Sequence, residues 1–314
     1  MKEQKRHHYV PQFYLKGFAD EHERVWVYDR VTQQFRHQKT DQIAVIGHYY
    51  RIEKRDGSLS VEVEQYLSEV EGDAAFALNK LDKHESITQE EKIHIAVYIA
   101  LQMTRVPDYE KRVKELQEKS IRRINKMLFS SVEAAKEKIE ESREELGKLG
   151  KEADAEELFR FVQEDQYKLD IPRQNTIRSM LDLAGHIVPY FMQMDWNLLR
   201  ATKGGAFITT DNPFTLVPPS TLNPSRYGQG IGIITPGAMK MIPLSSQTCL
   251  VMGNQGDSFQ EIIITKDRLR PFNIFSAVTS DRFIFAKDEA LLRSVVERSA
   301  VNEIPVIRER VSIT

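Results

Sequence analysis

Cysteine is almost absent. Cys249 stands alone in the chain, so no disulfide framework can form within it and the fold must rest on its apolar core. Set among Thr248, Leu250 and Val251, this cysteine reads as a small buried hydrophobe rather than a reactive thiol. Net charge is nearly absent too. With 44 basic against 46 acidic residues, the total charge draws the protein toward neither nucleic acid nor an anionic membrane, and any such attraction must come from a local patch. The basic start Met1–Arg6 leads into no apolar segment and no long apolar run follows anywhere. Neither a secretory signal nor a membrane span is expected, and the expected location is the cytosol.

The common catalytic signatures are missing as well. There is no phosphate-binding Gly-x-x-x-x-Gly-Lys loop, no Gly-x-Ser-x-Gly elbow, no His-Glu-x-x-His and no paired-cysteine zinc site. The run Gly228-Gln229-Gly230-Ile231-Gly232 has no clear strand before it or helix after it, so it makes a poor dinucleotide site. The classes defined by these motifs are set aside.

What is present is a folded chain with long solvated helices, since 41% of its 314 residues are hydrophobic and 29% charged. Pro11 and Gly17 bracket a short aromatic-rich helix. Val25–Tyr28, Gln34–His37 and His48–Ile52 are β-type runs and predict a small antiparallel sheet over residues 24–53. From Ser60 the period changes. Tyr66, Val70, Ala74, Ala77 and Leu81 are spaced as one helix face, and Thr88-Gln89-Glu90-Glu91 fits a capping box that starts a second helix running to about Arg105.

Pro107 interrupts the pattern. From Asp108 to about Lys148 the chain is rich in Lys and Glu with sparse apolar positions, among them Val113, Leu116, Ile124, Leu128, Val132 and Ile139, which predicts one long projecting helix ended by Gly147 and Gly150. Further helices are expected over 153–164 and 173–194, the latter kinked or stopped at Pro189. Short β-type runs then dominate: 196–201, 206–209, 249–252, 261–264 and 282–286, with a loop-rich stretch around Gly228–Gly237. The expected class is α+β: small antiparallel β elements at the amino terminus, a helical middle with a long charged helix, and a β-rich carboxyl-terminal third. The chain is expected to form one domain over residues 1–314, with 108–165 as a helical insertion or arm.

The segment His7-His8-Tyr9-Val10-Pro11-Gln12-Phe13-Tyr14-Leu15-Lys16-Gly17-Phe18 resembles the amino-terminal signature of the domain-of-unknown-function family 4238. Val25–Arg30, Leu101–Pro107, Phe207–Pro213 and Ile242–Ser245 follow in the order that family shows, so the resemblance spans most of the chain outside roughly 110 to 165. The family carries no assigned activity. The resemblance therefore implies which residues to inspect but no mechanism.

Those residues are weighed by chemistry. Imidazole changes charge near neutral pH, so His7 and His8 are candidates for binding and for acid–base or metal-ligand work, against a structural role tying the terminus to the core. In an extended segment they face opposite ways, which favours His8 as the working residue. His-His-x-x-Pro also resembles the first histidine segment of His-Asn-His metal nucleases, without the asparagine and second histidine expected downstream. Asp211, at the end of an apolar run and followed by Asn212 and Pro213, is a candidate metal ligand or orienting carboxylate; it is also an ideal turn. Arg105 and Gln102 share a helix face, so Arg105 is a candidate for gripping phosphate, with Gln102, Gln12 and Asn212 as binding residues; helix-end stabilisation is the alternative.

Two functions follow from this reading. The first is a metal-dependent hydrolase, nuclease-like and acting on nucleic acid phosphodiesters, with His8, Asp211 and Arg105 as catalytic residues and a divalent metal on His8 and Asp211. The second is a non-enzymatic binding or regulatory protein acting through its helical arm, whose apolar stripe a second copy would cover as a homodimer, or the chain's next helix as a hairpin.

Overall fold

A computed structural model of the protein describes residues 6–53, 59–142, 153–219 and 231–300. The chain divides into two compact units, one built from residues up to Tyr109 and from Met180 onward, the other from Glu110–Ser179. The fold is mixed α+β, as the sequence predicts. No helix among the described residues is long and apolar enough to cross a membrane.

The larger unit begins with strand β1 (Arg6–His8) and the short helix α1 (Gln12–Lys16), which sits between Pro11 and Gly17 as expected. Strands β2 (Arg24–Asp29) and β3 (Gln34–Lys39) form the expected hairpin. The third strand is different. His48 lies in the left-handed region at φ 52°, which breaks extended pairing there. The strand is instead β4 (Val45–Gly47), and it pairs with β1. Strands β5 (Ile52–Glu53) and β6 (Leu59–Ser60) form a separate small ladder.

Helices α2 (Glu62–Asp82) and α3 (Gln89–Thr104) follow, and the Thr88 capping box is present in both directions: Glu91 N–H donates to Thr88 Oγ1 at 3.2 Å and Thr88 N–H to Glu91 Oε2 at 2.6 Å. The buried face of α2 is carried by Val63, Leu67, Ala74, Ala77, Leu78 and Leu81. Tyr66 was expected on it but is exposed, because a row through 63, 67, 74 and 81 leaves position 66 on the flank.

The smaller unit corrects the long-helix expectation. Helix α4 covers Pro107–Leu128 and α5 covers Val132–Glu141. Between them the Ser131 hydroxyl accepts the Ala134 N–H at 3.2 Å, so a serine cap restarts the helix where a continuous one was predicted. The expected end at Gly147 and Gly150 lies outside the described residues. Helix α6 (Ala155–Gln163) starts at Asp154, whose carboxylate accepts two backbone amides, and packs on α5, burying Ala135, Ile139 and Val162. Helix α7 (Arg173–Met192) passes through Pro189 and ends three residues later.

The carboxyl-terminal part completes two sheets. Strands β7 (Met194–Ala201), β8 (Thr209–Thr210), β9 (Thr215–Val217), β10 (Met239–Pro243), β11 (Thr248–Gln255), β12 (Phe259–Ile264) and β13 (Phe283–Ala286) are separated by helix α8 (Lys266–Val278), with α9 (Glu289–Ala300) at the end. The two helices stand in a third that the sequence presented as β-rich. The glycine-rich run lies partly outside the described residues.

One sheet has the order β12-β7-β11-β10-β9, antiparallel except for β12 on β7. The other, β3-β2-β13-β8, closes the amino-terminal hairpin with carboxyl-terminal strands, which corrects the expectation of a self-contained sheet over 24–53. An edge hairpin with one apolar face needs such a partner to bury it. Trp26, Tyr28 and Phe35 accordingly pack on the core of Ile208, Ala277, Ile284, Ala286, Leu292 and Val295.

Gly17 ties α1 to the five-stranded sheet by close approach. A Cβ there would stand 3.2 Å from Leu244 O and 3.2 Å from Ser245 Cα, and Ser246 N–H donates to Gly17 O at 2.8 Å. Both neighbours are backbone and give way little. Gly17→Ala should destabilise the protein by about 1–3 kcal/mol, read as a lower urea midpoint with unchanged slope; an unchanged midpoint would show that the contact yields.

Candidate functional site

The segments that resemble the family meet at the amino-terminal signature. Tyr14 is fully buried in α1, and its hydroxyl reaches Pro243 O at 2.6 Å and Thr209 Oγ1 at 2.7 Å. A phenol has one hydrogen and a carbonyl only accepts, so Tyr14 donates to Pro243 and Thr209 donates to Tyr14. Two sheet segments far apart in sequence are thereby fixed to one side chain. On the other side, Gln102 of α3 donates to the Tyr9 carbonyl at 3.2 Å, and the ring of Tyr98, one turn earlier, packs on Phe13 at 5.4 Å.

His7 and His8 face opposite sides of β1, as their adjacency predicts. His7 is buried and its tautomer follows from its partners. Nδ1 accepts the Tyr50 N–H at 3.1 Å, so the proton resides on Nε2, which faces Glu64 Oε2 at 3.1 Å. Its ring stacks on Tyr50 with the planes 6° apart. Both nitrogens of His7 serve the fold.

His8 is half-buried, and its Nε2 is a buried atom with no hydrogen-bond partner among the described residues. Burial holds the ring below the ordinary imidazole value; the Glu71 carboxylate and the backbone at Thr40 and Asp41 pull the other way, while Arg6 adds to the depression. Arg6 is exposed and, two residues away, shares the His8 face of the strand.

Arg105 is 2% exposed and engaged on every side. Its Nη1 meets Glu71 Oε1 at 2.7 Å, while Nε and Nη2 share Gln102 Oε1 at 3.0 and 2.8 Å. Burial works against this charge and Glu71 more than offsets it, so the guanidinium stays above its ordinary value. Glu71, which the sequence reading missed, is the carboxylate that joins Arg105 electrically to His8. Glutamates on α2 carry no signal in the sequence that separates this one from its neighbours.

Asp211 is equally engaged. Its Oδ1 accepts the Asp281 N–H at 3.0 Å, and its Oδ2 accepts those of Arg282 at 2.7 Å and Phe283 at 2.9 Å. Burial pushes the carboxyl up to about 6 against the pull of these three amides. Asn212 donates weakly to Asp108 Oδ2 and Thr279 O, both at 3.4 Å, and Gln12 stands half-buried at the first position of α1. Tyr9, next to His8, lies in the field of Asp211 and Asp281, and burial with these charges drives its phenol far above the ordinary value. Among the described residues no group of three or more His, Cys, Asp or Glu side chains is placed to hold a metal ion.

A second carboxylate closes the hairpin. Asp29 in β2 receives Arg282 Nε and Nη2 at 3.0 and 2.8 Å, and Arg36 at 3.1 Å. The Arg282 fork is the chief reason that its carboxyl lies far below the ordinary range. Val25–Arg30 and Phe207–Pro213 are thus linked through neighbouring residues 281–283, which bond both aspartates.

The family model for DUF4238, a protein of unknown function, matches residues 6–290. The chain belongs to this family. No curated protein and no solved structure matches it. In this DUF4238 chain the signature residues are thus seen first as joints: Tyr14, Gly17, Gln102 and Asp211 each join segments distant in sequence.

Asp211→Asn should be costly. The amide offers one acceptor where the carboxylate offers two and would set its N–H₂ against backbone donors, so a loss of about 2–4 kcal/mol is expected in urea unfolding at pH 7. The pH dependence is separate. Because the folded pKa lies above the unfolded value of 3.8, the Asp211 contribution to wild-type stability is full below 3.8 and is lost as pH rises through about 6. The difference between wild type and variant should therefore widen toward pH 4; a pH-independent difference would contradict the raised value.

Proposed function

We propose that the protein is a hydrolase of nucleic acid phosphodiesters that uses His8 as its proton-transfer group. The observation that supports this reading is the unpartnered Nε2 of His8, on a ring that burial keeps neutral at physiological pH, with the exposed cation Arg6 on the same face of β1. A neutral imidazole with an unpartnered nitrogen accepts a proton from a water or hydroxyl that reaches it. A cation beside it draws a phosphate to that position. In this reading Arg105 and Asp211 hold the scaffold, and Arg6 takes the phosphate contact first considered for Arg105.

The proton transfer is assigned to His8 itself. Because Nε2 has one lone pair, a His8 that accepts the proton would not also ligate a metal; a divalent ion, where one takes part, would be carried by the substrate and would supply charge stabilisation to the phosphate.

The test is cleavage of single- and double-stranded DNA and RNA, with and without magnesium, manganese or zinc, by the wild type, His8→Ala and Arg6→Ala. His8→Ala should lose at least about 100-fold in rate while circular dichroism shows it folded, and Arg6→Ala should raise KM more than it lowers kcat. The wild-type kcat/KM should rise with pH and level off above an inflection lower than 6.5, since the base must be deprotonated. Equal rates for wild type and a folded His8→Ala would end the proposal, as would the absence of cleavage on all four substrates.

A further inference from the structure

Toward its carboxyl end α4 is held from one side by the described residues of the smaller unit. Arg122 and Lys126 meet Asp165 at 3.3 and 2.7 Å, Arg122 lies over the Tyr167 ring at 4.9 Å, Asn125 donates to Tyr167 Oη at 3.2 Å, and Gln163 donates to the carbonyls of Lys126 and Phe129 at 3.2 and 2.8 Å. These contacts occupy the face through residues 122, 125, 126 and 129. At 100° per residue the opposite face holds Leu116, Ile124 and Met127, with Ile121 and Leu128 beside them. From Leu116 onward its apolar side chains are exposed: Leu116 is 66% exposed, Ile124 54% and Met127 69%.

The apolar positions of α5 show the contrast. Ala135 and Ile139 are covered by α6 within the chain, so the stripe on α4 is what internal packing leaves over. A row this exposed on a 22-residue helix, about 33 Å long, has the dimensions of a helix-docking face.

The edge of the row says what fits it. Lys119 and Arg123, one turn apart, border Leu116 and Met127, both exposed and with no carboxylate partner among the described residues. Two other cations of the helix are neutralised, Lys114 by Glu110 and Arg122 by Glu118, each at 2.7 Å. One edge of the stripe is therefore basic and uncompensated. A second copy paired antiparallel would set this edge against itself; paired parallel, it would meet the edge where Glu110 is already held by Lys114 and Arg173. A nucleic acid backbone would leave the apolar row wet. An anionic lipid surface would call for free cations along both edges of the stripe, and the second edge carries the Lys114–Glu110 pair instead.

We infer that the exposed face of α4 docks another protein through an amphipathic helix whose apolar row is bordered by carboxylates. The proposal goes beyond the His8 chemistry and does not depend on it.

The test uses a designed amphipathic peptide of about three heptads, leucine on one face and glutamate along its borders, together with a counterpart in which every glutamate is lysine. Fluorescence anisotropy with the full chain should show binding of the glutamate peptide at least about tenfold tighter than the lysine peptide. Lys119→Glu with Arg123→Glu should reverse that preference, and Leu116→Glu with Met127→Glu should abolish binding of both. All four positions are exposed, and circular dichroism checks that the variants fold. Equal binding of the two peptides, or of neither, overturns the proposal. So does sedimentation showing a dimer that Leu116→Glu with Met127→Glu dissolves, or flotation with phosphatidylserine vesicles in place of peptide binding.

Discussion

The buried hydroxyl of Tyr14 is the joint on which the larger unit depends. It is a single group with one hydrogen and two lone pairs, placed where water does not reach, and it satisfies a carbonyl of β10 and a hydroxyl of β8 at once. Losing either partner would strand a polar atom in the core, at roughly 1–3 kcal/mol. The position of α1 is therefore tied to both sheets, and Gly17, three residues later, lets the chain press against the β10–β11 turn without a side chain between. Once α1 is fixed, β1 is fixed before it, and with β1 the two histidines.

This dependence explains why so many polar groups near the terminus have no capacity left for a ligand. Each has been used to join distant segments: His7 to Tyr50 and Glu64, Gln102 to Tyr9 and Arg105, Asp211 to the three amides that open β13. A terminus has few apolar neighbours of its own sequence, and directional hydrogen bonds hold it where burial alone would let it slide. His8 differs because it lies on the opposite face of the same strand. The geometry that locks His7 in place leaves His8 half-buried on the other face with its Nε2 unpartnered among the described residues.

Much of this was legible in the sequence for local reasons. A capping box, a proline followed by a glycine across one helical turn, and an apolar row spaced by three and four are short-range signals, and each produced the element it predicts. The class of the protein follows from them. What was not legible depends on partners distant in sequence. The β2–β3 hairpin gives no sign that β13 will complete its sheet, and Glu71 is one glutamate among several on α2 until Arg105 is placed beside it. Asp211-Asn212-Pro213 reads equally well as a turn or as a site, and only the amides of residues 281–283 separate the two. The break in the charged helix is a different case. Ser130 and Ser131 were visible, but a capping serine and a solvated one differ only in backbone geometry, and the surrounding Lys and Glu residues favour helix either way.

The contrast between the two units bears on where recognition resides. In the larger unit, polar residues are used to close the fold. In the smaller unit the proportions are reversed. Helix α4 is held by a compact set of contacts around Asp165, Tyr167 and Gln163, and Leu116, Ile124 and Met127 stay outside that packing. Each exposed leucine or methionine forgoes on the order of 1.5–3 kcal/mol that burial would return, a cost the helix meets through its salt bridges and propensity rather than its core. A row of such residues bordered by uncompensated cations is stabilised only when another surface covers both together, and for that reason the charge edge, more than the apolar row, determines which partner fits.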